Sequence, residues 1–161
     1  KNVRLEVSKG KFEDVDVKTV VSKIHNADIN VLANYIFGLP SDDIESMNKT
    51  LELSLERCTL GWNGYAAMAL PGSELYKNAI TKGYKLPDDY QGYSFHSYDT
   101  VPIPTEKLSS KEILSFRDSA FNKYFTDESF LTKIEKKFGN IAKENILKMT
   151  KIKLKRKILE N

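Results

Sequence analysis

Two kinds of hydrophobic pattern alternate along the first half of the chain. Apolar residues recur every three to four positions between residues 14 and 28 and again after residue 41, which predicts amphipathic helices. Between and after these segments lie two apolar runs, residues 29–38 and 62–70. The first run is rich in β-branched and aromatic residues without strict alternation, which is typical of a parallel strand covered by helices on both faces. Helices and strands in this order, joined by short connections, predict an α/β fold with a parallel sheet.

Capping residues indicate where the helices of this half begin and end. Ser41 is predicted to cap the helix after the first strand, with Asp42 and Asp43 in its first turn, where carboxylates suit the positive end of the helix dipole. A third helix follows the second strand and is predicted to end at Gly83. The apolar stripe of the helix after Ser41 comprises Ile44, Met47, Leu51 and Leu55.

The pattern changes after residue 83. Residues 84–108 are rich in tyrosine, and because so many rings are poorly tolerated in solvent, we predict an ordered loop rather than a linker. Three helices are predicted to follow: one capped by Ser109 with Glu112 in a capping box, one starting at Thr126, and one capped by Asn140. We therefore divide the chain into residues 1–83 and an extension, residues 84–161.

Composition excludes several classes of protein. The 161 residues are 40% hydrophobic and 29% charged, as in globular proteins, and no apolar stretch reaches the ~20 residues of a membrane span. A single cysteine, Cys58, excludes an internal disulfide and predicts a reducing, cytoplasmic setting. One cysteine and two histidines predict no metal site within this chain. The chain begins with Lys1 rather than methionine, which is expected of a piece of a longer protein.

Positive charge is concentrated near the end of the chain. The net charge is only +3, yet six basic residues crowd the last turns, namely Lys148, Lys151, Lys153, Lys155, Arg156 and Lys157. Two interpretations stay open: a solvated helix end favoured by the helix dipole, and a role in binding a nucleic acid or an anionic surface. No aromatic platform or nucleic-acid motif accompanies the run, so a nucleic acid is not the expected partner.

Candidate chemistry lies where the predicted strands end, because ligands of parallel α/β folds bind at the carboxyl ends of strands. The first strand ends at Gly38, where the lack of a Cβ would let a ligand approach the backbone, although an ordinary turn also favours glycine. Ser94, His96 and Asp99 invite a hydrolase interpretation. Triad members come from separate loops, however, and the chain lacks Gly-x-Ser-x-Gly, so we predict no catalytic residue here.

Six phrases follow one another along nearly the whole chain. They are "VSKGKF" (7–12), "NYIFGLPSDDIESMNKTLELSLE" (34–56), "AMALPGSELY" (67–76), "GYSFHSYDTVPIPT" (92–105), "FRDSAFNKYFTDESFL" (116–131) and "KLKRKIL" (153–159). In this order they resemble the radical S-adenosylmethionine superfamily, particularly its cobalamin-binding branch. The resemblance implies a partial six-stranded (β/α) barrel of the TIM type. This chain would hold its last two strands and a helical C-terminal extension.

The resemblance also implies a cofactor site. The adenine of S-adenosylmethionine would lie against Asn34, Ile36 and Gly38, with Tyr65 and Met68 of the second strand lining the same cavity. Asn34 departs from the superfamily, which has a glycine at that position. This resemblance would explain why the first strand ends on Gly38.

We name residues 84–108 the aromatic loop. Its part from Tyr90 to Asp99 is expected to fold across the barrel and bring Tyr93 and His96 toward a small-molecule substrate. His96 has a structural interpretation as well, as a hydrogen-bonding residue within the loop. The Cys-x-x-x-Cys-x-x-Cys loop that holds a four-iron four-sulfur cluster is absent from the chain, and so is a cobalamin domain.

We therefore expect those parts to precede Lys1 in a methyltransferase-like enzyme, and we expect this chain alone to be inactive. The alternative is a non-catalytic α/β interaction module whose basic terminal helix binds RNA or a protein partner.

Overall fold

The structure of the protein is a computed structural model that describes residue 9 and residues 14–160. This part of the chain forms seven α-helices, one 3₁₀ helix and two strands. In chain order they are α1 (Val17–Asn26), β1 (Leu32–Phe37), α2 (Ile44–Arg57), β2 (Gly61–Ala66), α3 (Glu74–Thr81), the 3₁₀ helix (Tyr90–Tyr93), α4 (Ser110–Phe125), α5 (Glu128–Phe138), α6 (Asn140–Thr150) and α7 (Lys157–Glu160).

The two strands form a parallel sheet. Leu32 lies opposite Gly61 and Phe37 lies opposite Ala66, with α2 as the connection between the strands. These elements confirm the predicted α/β class and the helical extension. Each strand is shorter than its apolar run, because the residues around the run also form the turns into the neighbouring helices.

One face of the sheet carries the main hydrophobic core. Trp62 of β2 is the centre of this core. Its ring stacks on that of Tyr124, with ring centroids 5.3 Å apart, and packs edge-to-face with Phe125, with ring centroids 5.9 Å apart. The core draws on both halves of the chain, because β1, α2 and β2 supply one side of it and α4 and α5 supply the other. Its buried members are Phe37, Met47, Leu51, Trp62, Ala120, Tyr124, Phe130 and Ile134.

The opposite face of the sheet is open. Leu32 and Ile36 are 64% and 46% exposed, and Asn34 between them is exposed as well. Burial alternates along β1 and β2, as it does in a sheet with one covered face. The prediction that helices cover both faces is therefore wrong for the part of the chain that the structure describes.

Several helix ends differ from the predicted ones. Asp43, not Ser41, caps α2, because its carboxylate accepts the amide of Ser46 at 3.0 Å while the Ser46 hydroxyl accepts the Asp43 amide. Ile44 consequently lies in the first turn and is exposed. Asp127 caps α5 in place of Thr126, and α6 has no side-chain cap at all. The capping box of Ser109 and Glu112 on α4 is confirmed.

The basic run is a helix end only in part. Lys148 lies in the last turn of α6, which stops at Thr150, whereas residues 152–156 belong to neither a helix nor a strand. Arg156 is almost completely buried, so the interpretation of the whole run as a solvated face is wrong at this position. Among the described helices, none has the length and apolar composition needed to cross a bilayer.

Candidate functional site

The carboxyl end of β1 turns sharply at Gly38. Its φ of 82° lies in the left-handed region that favours glycine. The buried carboxylate of Asp42 holds the turn, because its Oδ2 accepts the amides of Gly38 at 3.1 Å and Leu39 at 2.9 Å. The other oxygen, Oδ1, accepts the hydroxyl of Ser46 at 2.6 Å. Backbone donors at the end of this strand are thus bound to the protein's own carboxylate.

The space beside Gly38 is filled by Ile113 of α4. A Cβ built on Gly38 would lie 2.6 Å from Cγ2 of Ile113, a distance at which the side chain must shift. Close packing between β1 and α4 therefore requires a glycine here. This requirement explains why the residue is a glycine even if no ligand binds beside it. The adenine contact predicted for Gly38 would then involve only its backbone atoms.

Three of the residues predicted to bind the cofactor share the open face of the sheet. Asn34 accepts a hydrogen bond at 3.0 Å from the side chain of Asn63, which lies directly opposite in the strand register. Ile36 and Tyr65 are also opposite each other, one step nearer the carboxyl ends. Together these four side chains form a surface with amides at one end and apolar groups at the other.

The aromatic loop reaches this surface through Phe95. The Phe95 ring packs against Tyr65 with centroids 4.8 Å apart. Beyond the strand, the amide of Ile103 donates to the carbonyl of Ala67 at 3.0 Å, so the loop also follows the continuation of β2. Met68 is only 7% exposed, which leaves its side chain inside the protein rather than on the open face.

Tyr93 and His96 have different surroundings. The Tyr93 hydroxyl donates to the carbonyl of Pro87 at 3.5 Å, within its own loop. His96 lies at a groove in the extension, where burial, together with the positive charges of Arg117 and Arg156, lowers the pKa of its imidazole. Their predicted contact with substrate stays a prediction.

A buried ionic cluster that the sequence did not predict fixes the aromatic loop. Both carboxylate oxygens of Asp118 on α4 accept hydrogen bonds from the guanidinium of Arg156, at 3.1 and 3.2 Å. Asp118 also accepts a hydrogen bond from Arg117 at 2.9 Å. Nη1 of Arg156 also donates to the carbonyls of Phe95 and Ser97, both at 3.0 Å. We name Arg117, Asp118 and Arg156 the ionic clasp. The consecutive Arg117-Asp118 pair was a possible signal in the sequence, but its partner lies 38 residues away.

Two cavities of the described part are lined by none of the predicted cofactor residues. A pocket of about 200 Å³ beside Pro40 is lined by α3 and by Ile103 and Pro104. A larger one, about 480 Å³, lies between α4, the end of α6 and residues 152–159, and includes His96. Ile36 and Tyr65 lie on an open surface instead.

The described residues offer no group of three or more histidine, cysteine or acidic side chains that could hold a metal ion. Burial raises the pKa of the Cys58 thiol, which disfavours the thiolate that metal binding and nucleophilic attack require. The carbonyl of Cys58 accepts the ammonium of Lys133 at 2.5 Å. Cys58 is therefore best described as part of the packing between α2 and α5.

No family model matches the sequence, and neither a curated protein nor a solved structure matches it. A functional proposal accordingly depends on the resemblance of the six phrases and on the geometry of the sheet.

Proposed function

We propose that the chain is the C-terminal portion of a radical S-adenosylmethionine enzyme, with β1 and β2 as the last two strands of a partial (β/α)₆ barrel. The observation that carries this proposal is the difference between the two edges of the sheet. One edge is closed by the chain's own extension, and the other edge offers its backbone to a further strand.

The closed edge belongs to β2. Nε of Arg117 donates to the carbonyl of Gly64 at 2.7 Å, and Ile103 donates to Ala67 just beyond the strand. These contacts occupy acceptors that another strand would need, so β2 is a suitable final strand. Natural sheets commonly protect their edges by covering them with loops and charged side chains.

The open edge belongs to β1. The backbone of Leu32–Phe37 is bonded to β2 and to Ala67 just beyond it, whose amide donates to the Phe37 carbonyl at 2.8 Å, and it has no other hydrogen-bond partner among the described residues. An uncovered strand beside an uncovered sheet face is unfavourable for an isolated protein. A preceding strand of a barrel would pair with β1, and the exposed face would then become the inside of the barrel.

The open face suits the cofactor in part. Ile36 provides an exposed apolar surface at the carboxyl end of β1, where ligands of such folds bind. Asn34 and Tyr65 add polar groups beside it, and Gly38 and Met68 support the turn and the interior behind it. S-adenosylmethionine, when bound, supplies the difficult chemistry of these enzymes.

The iron–sulfur cluster does not fit the described residues, since Cys58 is the chain's single cysteine and lies in a packing role. We propose that the cluster ligands, and a cobalamin domain where there is one, belong to the part of the protein before Lys1. The described residues would then bind and orient S-adenosylmethionine on the barrel wall.

The test compares two aspartate substitutions on the same face of β1 in the intact protein that contains this chain. Ile36→Asp places a carboxylate at the proposed adenine surface, and Leu32→Asp places one at the amino end of the strand. We expect Ile36→Asp to weaken equilibrium binding of S-adenosylmethionine about tenfold or more, because an unpaired charge against a bound ring costs more than ~1.4 kcal/mol. Leu32→Asp should bind as the parent does.

Iron content, measured on the same preparations, checks that the cluster site is intact in both variants. Absence of iron and of any binding of S-adenosylmethionine in the parent protein would refute the proposal. Equal binding of S-adenosylmethionine by the two variants would show that the adenine does not bind at β1.

A further inference from the structure

None of the residues of the open sheet face lines the 480 Å³ groove of the extension, and what the groove binds is independent of the function proposed above. Helix α4 forms one wall, while Met149, residues 152–154 and Leu159 form the other. Its volume lies within the roughly 300–1,000 Å³ of sites that hold small molecules. What the groove would bind can be read from the chemistry of its two walls.

One wall is apolar and exposed. Ile152 and Leu154 extend from the segment that follows α6, with exposed fractions of 70% and 44%. Leu159 of α7 and Phe121 of α4 continue this surface around the groove. So much uncovered apolar area on this segment is unfavourable in water, and an apolar ligand body would remove it from solvent.

The other wall carries polar groups at helical spacing. Ser115, Asp118, Ser119 and Asn122 occupy positions i, i+3, i+4 and i+7 of α4, so they share one face of the helix. The hydroxyls of Ser115 and Ser119 make no hydrogen bond to any described residue. They are available to a ligand that has acceptors along one side.

The charges at the groove favour an anion. Asp118 is the single acidic residue of its lining, and it is already paired with Arg117 and Arg156. Lys153 also lines the groove and has no acidic partner in the described part of the chain. Two arginines and one lysine against one aspartate leave a net positive charge at this place.

Arg117 joins the charged and apolar regions. Only 8% of its surface is exposed, and its guanidinium lies 5.4 Å from the centre of the Phe121 ring. Nε and Nη1 are bound to Gly64 and Asp118, whereas Nη2 donates to no described residue. A buried guanidinium with a remaining donor beside an aromatic ring is suited to a carboxylate on an apolar body.

We propose that this groove binds a small amphipathic anion, with its carboxylate near Arg117 and Lys153 and its apolar body against Phe121, Ile152 and Leu154. Charge complementarity distinguishes this ligand from a neutral lipid or a cationic amphiphile. The exposed apolar wall distinguishes it from a free inorganic anion.

Octanoate is the probe, titrated by calorimetry into the intact protein. 1-Octanol tests the need for the charge, and acetate tests the need for the apolar body. Two matched pairs of variants locate the site: Lys153→Glu with Lys151→Glu as control, and Ile152→Ser with Ile141→Ser as control. All four positions are exposed, and neither control residue lines the groove.

We expect saturable binding of octanoate, at least tenfold weaker binding of octanol and acetate, and a loss of about tenfold in Lys153→Glu and Ile152→Ser alone. Failure of octanoate to bind would overturn the proposal. So would equal binding of octanol, or equal losses in both members of either pair. None of these results depends on whether the protein binds S-adenosylmethionine.

Discussion

Arg156 provides the sharpest test of how the extension is held together. Its side chain is 0% exposed, yet it carries a charge and makes bonds to a carboxylate and two carbonyls. Arg156→Met keeps much of the side-chain volume and removes every donor. The carbonyls of Phe95 and Ser97 would lose their guanidinium partner, and Asp118 would retain only Arg117.

The expected loss follows from these contacts. Removing one partner of a buried ion pair costs ~3–5 kcal/mol, since the remaining charge is left without compensation. Asp118 is 25% exposed in its side chain and keeps its bond to Arg117, so the lower end of this range applies. We expect Arg156→Met to reduce the free energy of unfolding by about 3 kcal/mol. Arg156→Lys should lose about half as much, because an ammonium cannot replace the planar fork of a guanidinium.

Urea unfolding measures this loss through the fluorescence of Trp62, the single tryptophan, whose ring stacks on Tyr124 of α4. An unchanged m-value would show that the lowered midpoint reflects stability rather than a more compact unfolded state. Lys155→Met is the control, because Lys155 is the adjacent residue and is exposed. A loss below about 1 kcal/mol, or the same loss in Lys155→Met, would refute the role assigned to the ionic clasp.

Two further predictions concern Gly38 and His96. Gly38→Ala should destabilise the protein by about 2 kcal/mol in urea unfolding, because a side chain at its φ of 82° is strained and meets Ile113. The double variant Gly38→Ala/Ile113→Val should recover part of this loss. An unchanged midpoint in Gly38→Ala would contradict the packing argument. The lowered pKa of His96 means that the unfolded chain binds more protons, so stability should fall as the pH drops below 6.5. His96→Gln should fall less steeply in urea midpoints taken from about pH 8 to about pH 5, and an identical slope would refute the contribution of His96.

Local patterns predicted the elements well, because the forces that define them act within a few residues. The capping box of Ser109 and Glu112 is such a case, since both partners lie in one turn. The start of α2 was harder to predict, because Ser41, Asp42 and Asp43 are all capable of accepting backbone amides. The Asp42 carboxylate accepts hydrogen bonds from the amides of Gly38 and Leu39 in the turn. The Asp43 carboxylate accepts one from the amide of Ser46 in the first turn of the helix.

Tertiary features were less accessible. The apolar run of β1 shows that its residues suit burial, but it does not show what covers them, and Ile36 is left on an open face. In the sequence Arg156 cannot be distinguished from the neighbouring lysines, because a run of charges contains no information about a single buried partner. Its burial depends on Asp118, which only the fold brings within 3.1 Å.

The ionic clasp connects the end of the chain with the sheet through two short routes. Arg117 donates to Gly64 at the edge of β2, and Arg156 holds the backbone of Phe95, whose ring packs on Tyr65. The surroundings of Tyr65 on the open face thus depend on Arg156, close to the far end of the described chain. Truncation before Arg156 would remove more than a basic tail, because the aromatic loop would lose the guanidinium that joins it to α4.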